Sequence, residues 1–301
     1  MSLGYAPAGS ATHAERVGQT VALLGRRGYA LPPARLGEVC LGGPLGVAEV
    51  RWAVAANPDL VVAENLVLRR DALDRVSGIR SRADGHGIDA PRYLSMALNF
   101  IPTLLMVAPF IRGVAIAGSL ASGGFKASDD IDLNLIVDDG HRHLAYVVVN
   151  FLGLVHALRY RNKPVDALTR RPLAPRLMTA NLILERSQCL PLARQDADMA
   201  FELLMAEPVY GVGVFQELIE SNPALLDHFP QLASHAAPHA IEEVTRRLPN
   251  ALFPRALDGA ARVIGQSAWR YMQWTRRRQP DALARVAYVR STMRPYTLFD
   301  S

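Results

Sequence analysis

Lysine is nearly missing from this chain of 301 residues: among 33 basic residues only Lys126 and Lys163 are not arginine. With alanine, leucine and valine abundant, that bias marks GC-rich coding more simply than selection for guanidinium groups. Cysteine is as scarce. Cys40 and Cys189 stand far apart with no CxxC or Cys/His ligand spacing, which speaks against zinc and for a reducing compartment. Long apolar runs are lacking too. Residues 100–111 carry Pro102 and Pro109, residues 144–158 carry Asn150 and His156, and neither stretch reaches the roughly 20 residues of a membrane span. Both are expected to be buried core, with no membrane association. The residues through Val17 show no basic segment followed by an apolar one, so no signal peptide is expected and the protein is placed in the cytoplasm.

What is present is a balance of 50% hydrophobic and 20% charged residues, that of a globular protein long enough for two or three domains. The formal charge of +5 favours anionic partners and suits an NTP as well as a nucleic acid.

The densest chemistry lies in residues 114–137, VAIAGSLASGGFKASDDIDLNLIV. A short apolar strand from Val114 to Ala117 runs into Gly118-Ser119 and a small-residue segment, and a second strand then carries Asp130 and Asp132. Side chains alternate along a strand, so Asp130, Asp132 and Asn134 share one face while Ile131, Leu133, Leu135 and Val137 anchor the other. Neighbouring carboxylates repel and raise each other's pKa, which calls for a cation. Magnesium suits, being held by one or two carboxylates together with substrate phosphates. A P-loop is excluded: it needs lysine at position 124, where Gly124 stands, and Lys126 comes two residues late.

Gly-Ser, about ten residues, then Asp-x-Asp before apolar residues resembles the signature of the DNA polymerase beta-like nucleotidyltransferase superfamily, with Gly118, Ser119, Asp130 and Asp132 in the matching places. The resemblance implies transfer of a nucleoside monophosphate from an NTP, with release of pyrophosphate. It implies Mg²⁺, or Mn²⁺ in its place, held by Asp130, Asp132 and a third carboxylate on a strand after the next helix. Asp166 is the best-placed candidate and Glu185 its rival, and a site with neither is the third option. Gly118 and Ser119 would meet the phosphates, with Lys126 and Ser128 of the same segment counted beside them. Residues 181–211 also look like those of bacterial nucleotidyltransferase-domain proteins of unassigned substrate, in which a strand is followed by a helix ending in Pro-x-Tyr-Gly.

The fold class expected is α+β: a polymerase beta-like mixed sheet with flanking helices, preceded by a winged-helix-like domain and followed by a helical region. The boundaries are a disordered N-terminus over 1–13, three helices and a hairpin over 14–70, the nucleotidyltransferase domain with its leading helices over 71–211, and helices over 212–301. The hairpin is predicted to turn at Glu64-Asn65, and Asp89-Ala90-Pro91 to open a helix of about 91–99. Residues 141–160 are expected to form a helix buried all round, with His141 and His143 in end or solvent roles, and 241–248 to form a further helix. The third helix of the first domain offers only Arg51 as an obvious cation, which favours packing over DNA reading and makes Trp52 a core or interface residue. Trp269, Met272 and Tyr271 are expected on the core side of a helix whose Arg276–Arg278 decorate its end, although the mix of aromatics and cations could also engage RNA. The partners expected are therefore an NTP and a small-molecule acceptor, with nucleic acid not favoured. A non-catalytic nucleotide-sensing or DNA-binding winged-helix protein, and a nucleotidyltransferase acting on tRNA, another RNA or a protein, are the alternatives.

Overall fold

Local signals set the first elements. Thr12 caps helix α1 (His13–Arg26) in a capping box with Glu15, so ordered structure begins at the cap rather than beyond residue 13. Helices α2 (Pro33–Glu38) and α3 (Val47–Ala56) follow, then the antiparallel strands β1 (Leu60–Ala63) and β2 (Leu66–Arg69). Glu64 and Asn65 both take positive φ, as a two-residue hairpin turn requires. The structure is a computed structural model that describes residues 11–160, 162–164, 177–241, 244, 246–277 and 280–299. The expected disorder of the first residues lies outside this range up to residue 10.

A short 3₁₀ turn leads into α4 (Val76–Val107), one helix of 32 residues. Pro91 therefore sits inside the helix and does not open a new one. An interior proline costs about 3 kcal/mol. On the same helix Tyr93, Met96, Phe100 and Leu104 are all buried at helical spacing, and each large side chain buried returns about 1.5–3 kcal/mol. Tertiary burial outweighs the local break.

The centre is a four-stranded sheet. Strand β3 (Ile111–Ala117) passes through the short helix α5 (Gly118–Ser122) to β4 (Ile131–Val137), which pairs antiparallel with it. Helix α6 (Arg142–Ala157) crosses to β5 (Met178–Glu185), which lies parallel to β4. Two helices, α7 (Arg186–Cys189) and α8 (Ala197–Met205), precede β6 (Glu207–Tyr210), which pairs antiparallel with β3 and completes the order β5-β4-β3-β6. Pro208 is tolerated because β6 is an edge strand. The Pro-x-Tyr-Gly run thus belongs to a strand, not to a helix end. Helices α9 (Val212–Glu220), α10 (Ala224–His228), α11 (Ala256–Arg276) and α12 (Pro280–Met293) follow. Of the helix expected over 241–248, the described residues are irregular, and Arg247 reaches the carbonyls of Pro109 and Ile111 instead. The architecture is α+β, a mixed sheet flanked by helices with a small antiparallel hairpin early in the chain.

Alternation divides the core. Val114, Ile116, Ile131, Leu133, Leu135 and Val137 pack against α4 and α6 on one face. Ala115, Ala117, Ile136, Leu182 and Leu184 pack on the other against α8, α9 and α1–α3. Helix α6 is not buried all round: Ala145, Val149, Gly153 and Ala157 meet the sheet, while Phe151, Leu154 and Val155 are exposed. His141 stacks on Phe110 and His143 pairs with Asp258 of α11, so both do structural work at the helix end. Trp52 and Tyr271 face solvent, at 64% and 65% exposure, rather than the core. Trp269 and Met272 are half-buried as expected. No helix among the described residues is long and apolar enough to cross a membrane.

Candidate functional site

Two backbone features bring the site together. Register pairs Ala117, the last residue of β3, with Asp132 of β4. The next residue, Gly118, has φ +62°, and a Cβ there would fall 2.1 Å from Asp132 Oδ2. Only glycine lets the chain turn so close to the carboxylate. Ser119 follows, buried, and the Ser122 hydroxyl donates to the Gly118 carbonyl at 2.6 Å. Gly123, also left-handed, ends this single turn.

Asp130 stands just before β4, and Asp132 is its second residue. Both are half-exposed. The parallel register sets Thr179 of β5 opposite Asp132. Thr179 Oγ1 lies 2.9 Å from Asp132 Oδ1 and 3.2 Å from Asp130 Oδ2. One hydroxyl hydrogen serves one carboxylate at a time, so the second contact sets oxygen lone pairs against each other. A hard cation would relieve that contact. The donor set is oxygen only, which suits Mg²⁺ taking further ligands from substrate and not zinc.

Behind the carboxylates the same face stays polar. The register shift between Leu133 and Asn134 makes Asn181 an extra residue on β5. Its side chain donates to Asn134 Oδ1 and to Glu202 Oε1 of α8, both at 2.9 Å. Arg27 Nη2 stands 3.9 Å from the other oxygen of Glu202, and the Arg27 guanidinium covers the Phe201 ring. The end of α1 is thus tied to the helix that backs the site.

Helix α4 holds the loop between Gly123 and Asp130. Arg82 donates to the Gly124 carbonyl and to Asp129 Oδ2, the latter at 2.5 Å. The Phe125 N–H donates to His86 Nδ1 at 3.2 Å, so that nitrogen carries no proton, and burial holds the imidazole below its usual pKa. Tyr93 donates to the Ala127 carbonyl at 3.0 Å. Tyr29, just past α1, lies on the Arg82 guanidinium, 5.4 Å from its ring centroid. A Cβ on Gly124 would come 2.5 Å from the Tyr29 ring. Burial raises the Tyr29 pKa, Arg82 opposes the shift, and the Asp132 carboxylate adds to it. Lys126 is exposed and Ser128 half-buried on this loop.

The structure therefore brings together Gly118, Ser119, Asp130 and Asp132. It separates Glu185: that residue pairs with Val137 at the far end of β4, five positions beyond Asp132 and so about 17 Å along the strand. Its carboxylate accepts the Gly140 N–H at 2.8 Å, a structural role, and Glu185 is not a third ligand. Asp166 lies outside the described residues, as do Arg170, Arg171 and Arg176. Among the described residues no three His, Cys, Asp or Glu side chains are grouped to hold a metal ion. Thr179, Tyr29 and Arg82 were not singled out in the sequence, because only long-range pairing brings them here. Comparison with protein-family models, with curated proteins and with solved structures finds no match to this chain.

Proposed function

We propose that this protein is a magnesium-dependent nucleotidyltransferase that moves a nucleoside monophosphate from an NTP to a small-molecule acceptor, releasing pyrophosphate. The observation that carries the proposal is the Asp130/Asp132 face set against the left-handed Gly118 turn, where a side chain on Gly118 would strike Asp132. Asp130 and Asp132 hold the metal, which when bound neutralises phosphate charge. Gly118 and Ser119 present backbone N–H groups where phosphates approach, with Lys126 as a nearby cation. Thr179 steers the two carboxylates by its single hydrogen bond. The mixed sheet is then the polymerase beta-like core, and α1–α3 with the β1–β2 hairpin are a winged-helix-like packing module. The outer face of α3, where Arg51 and Trp52 lie exposed, is too poor in cations for DNA reading.

The test is pyrophosphate release with Mg²⁺ and each NTP in turn, with candidate acceptors added. Asp132→Asn should lower the rate at least about a hundredfold, the scale on which one charge-stabilising group acts. Full metal-dependent turnover by this variant would sink the proposal. A second reading, a non-catalytic nucleotide-binding protein, is favoured by one observation: a threonine, not a carboxylate, faces Asp132 across β5. It expects NTP binding without pyrophosphate release from the unaltered chain.

A further inference from the structure

Beside the signature loop, between α1, β2 and the first turns of α4, lies a cavity of ≈590 Å³. That volume suits a small molecule. Its walls carry Arg26, Arg69, Arg75, Arg82 and Lys126 against one carboxylate, Asp71. Four of these cations have acidic neighbours. Arg69 pairs with Asp71 at 2.9 Å, Arg82 with Asp129 at 2.5 Å and Arg26 with Asp198 at 3.1 Å, while Arg75 is 3.9 Å from Asp74 on the surface. Lys126 has no carboxylate within ion-pair distance among the described residues. Three of the four acidic neighbours stand outside the cavity walls, so an entering anion meets mostly cations.

The remaining wall is apolar, with Val21, Leu68 and Ile79. Tyr29 lines it too, and its ring lies against Gly124 close enough to the site for Asp132 to influence its hydroxyl. Tyr29 thus belongs both to the cavity wall and to the surroundings of the loop that leads to Asp130. The geometry points to this cavity as the seat of the acceptor, a small molecule with an apolar body and at least one phosphate. The word acceptor rests on the nucleotidyltransferase reading; the anion site does not.

Two substitutions isolate the cavity. A Cβ on Gly78, a helical residue of its wall, would meet nothing within 4 Å. Gly78→Leu therefore fills the space, keeps every cation and favours the helix. Arg75→Glu reverses a surface charge at the wall. The experiment is calorimetric titration with inorganic pyrophosphate in EDTA, which keeps metal from the Asp130/Asp132 face, with thermal melts of each protein alongside. The unaltered chain should bind, and both variants should bind at least tenfold more weakly with no loss of melting temperature. No binding by the unaltered chain, or binding that neither variant weakens, overturns the proposal. Slow hydrolysis of NTP to NMP and pyrophosphate with Mg²⁺, in which water takes the acceptor's place, reads the Asp132 chemistry separately, so either idea can fail without the other.

Discussion

Gly118 and Asp132 stand too close for a side chain to fit between them. Replacing Gly118 with alanine asks an L-residue to hold φ +62°, which costs about 1–2 kcal/mol, and drives a methyl into Asp132 Oδ2. Gly118→Ala should lose at least about 2 kcal/mol of stability by denaturant titration, together with nearly all pyrophosphate release. His86 offers a pH test at the same scale. Its folded pKa lies below the unfolded value near 6.5, so the unfolded chain binds the extra proton. The stability it supports is whole above about pH 6.5 and declines as pH falls below it. In His86→Gln, whose side-chain oxygen can accept the Phe125 N–H, the fall in melting temperature between pH 7 and pH 5 should be shallower. An identical slope would show that His86 does not hold the loop. Much of this scale was legible: the period-two pattern placed both aspartates on one face, and Gly-Ser marked the turn. Thr179 was not, because a parallel partner is chosen by pairing across more than forty residues and leaves no local mark.

At the scale of elements, α4 is the platform on which the loop is mounted, through Arg82, His86 and Tyr93. It is also where local rules misled. Asp89-Ala90-Pro91 reads as a helix start, yet burial of the face bearing Tyr93, Met96 and Phe100 carries the helix straight through. Pro91→Ala restores a donor for the carbonyl one turn earlier and should raise the melting temperature by about 2 °C or more, the yield of roughly 1 kcal/mol in a chain of this size. A lower melting temperature would mean that the ring's geometry is needed to aim the two halves of the helix. The hairpin turn at Glu64-Asn65 was legible to the residue because turn chemistry is local. The outward apolar side of α6 was not, since composition reports how greasy a helix is but not which side the sheet covers.

In the whole molecule, one core joins residues that the sequence assigns to separate domains. Val17, Leu24 and Leu36 of the first helices share a buried cluster with Phe201, Leu218 and Phe229. The Gly42 N–H also donates to the His228 carbonyl at 2.6 Å. The chain should therefore melt in a single transition by circular dichroism and by tyrosine and tryptophan fluorescence together; two separated transitions would show that the first module folds alone. Composition-based boundaries could not reveal this, because interdomain contacts involve residues far apart in sequence. The parallel pairing of β4 with β5 has a temporal side. Strands β3 and β4 are neighbours in sequence and can join soon after both leave the ribosome. Thr179, however, is made more than forty residues after Asp132, and closing so long a segment is slow. The carboxylate pair thus exists on the nascent chain before its hydroxyl partner arrives, and the site matures last at its β5 side.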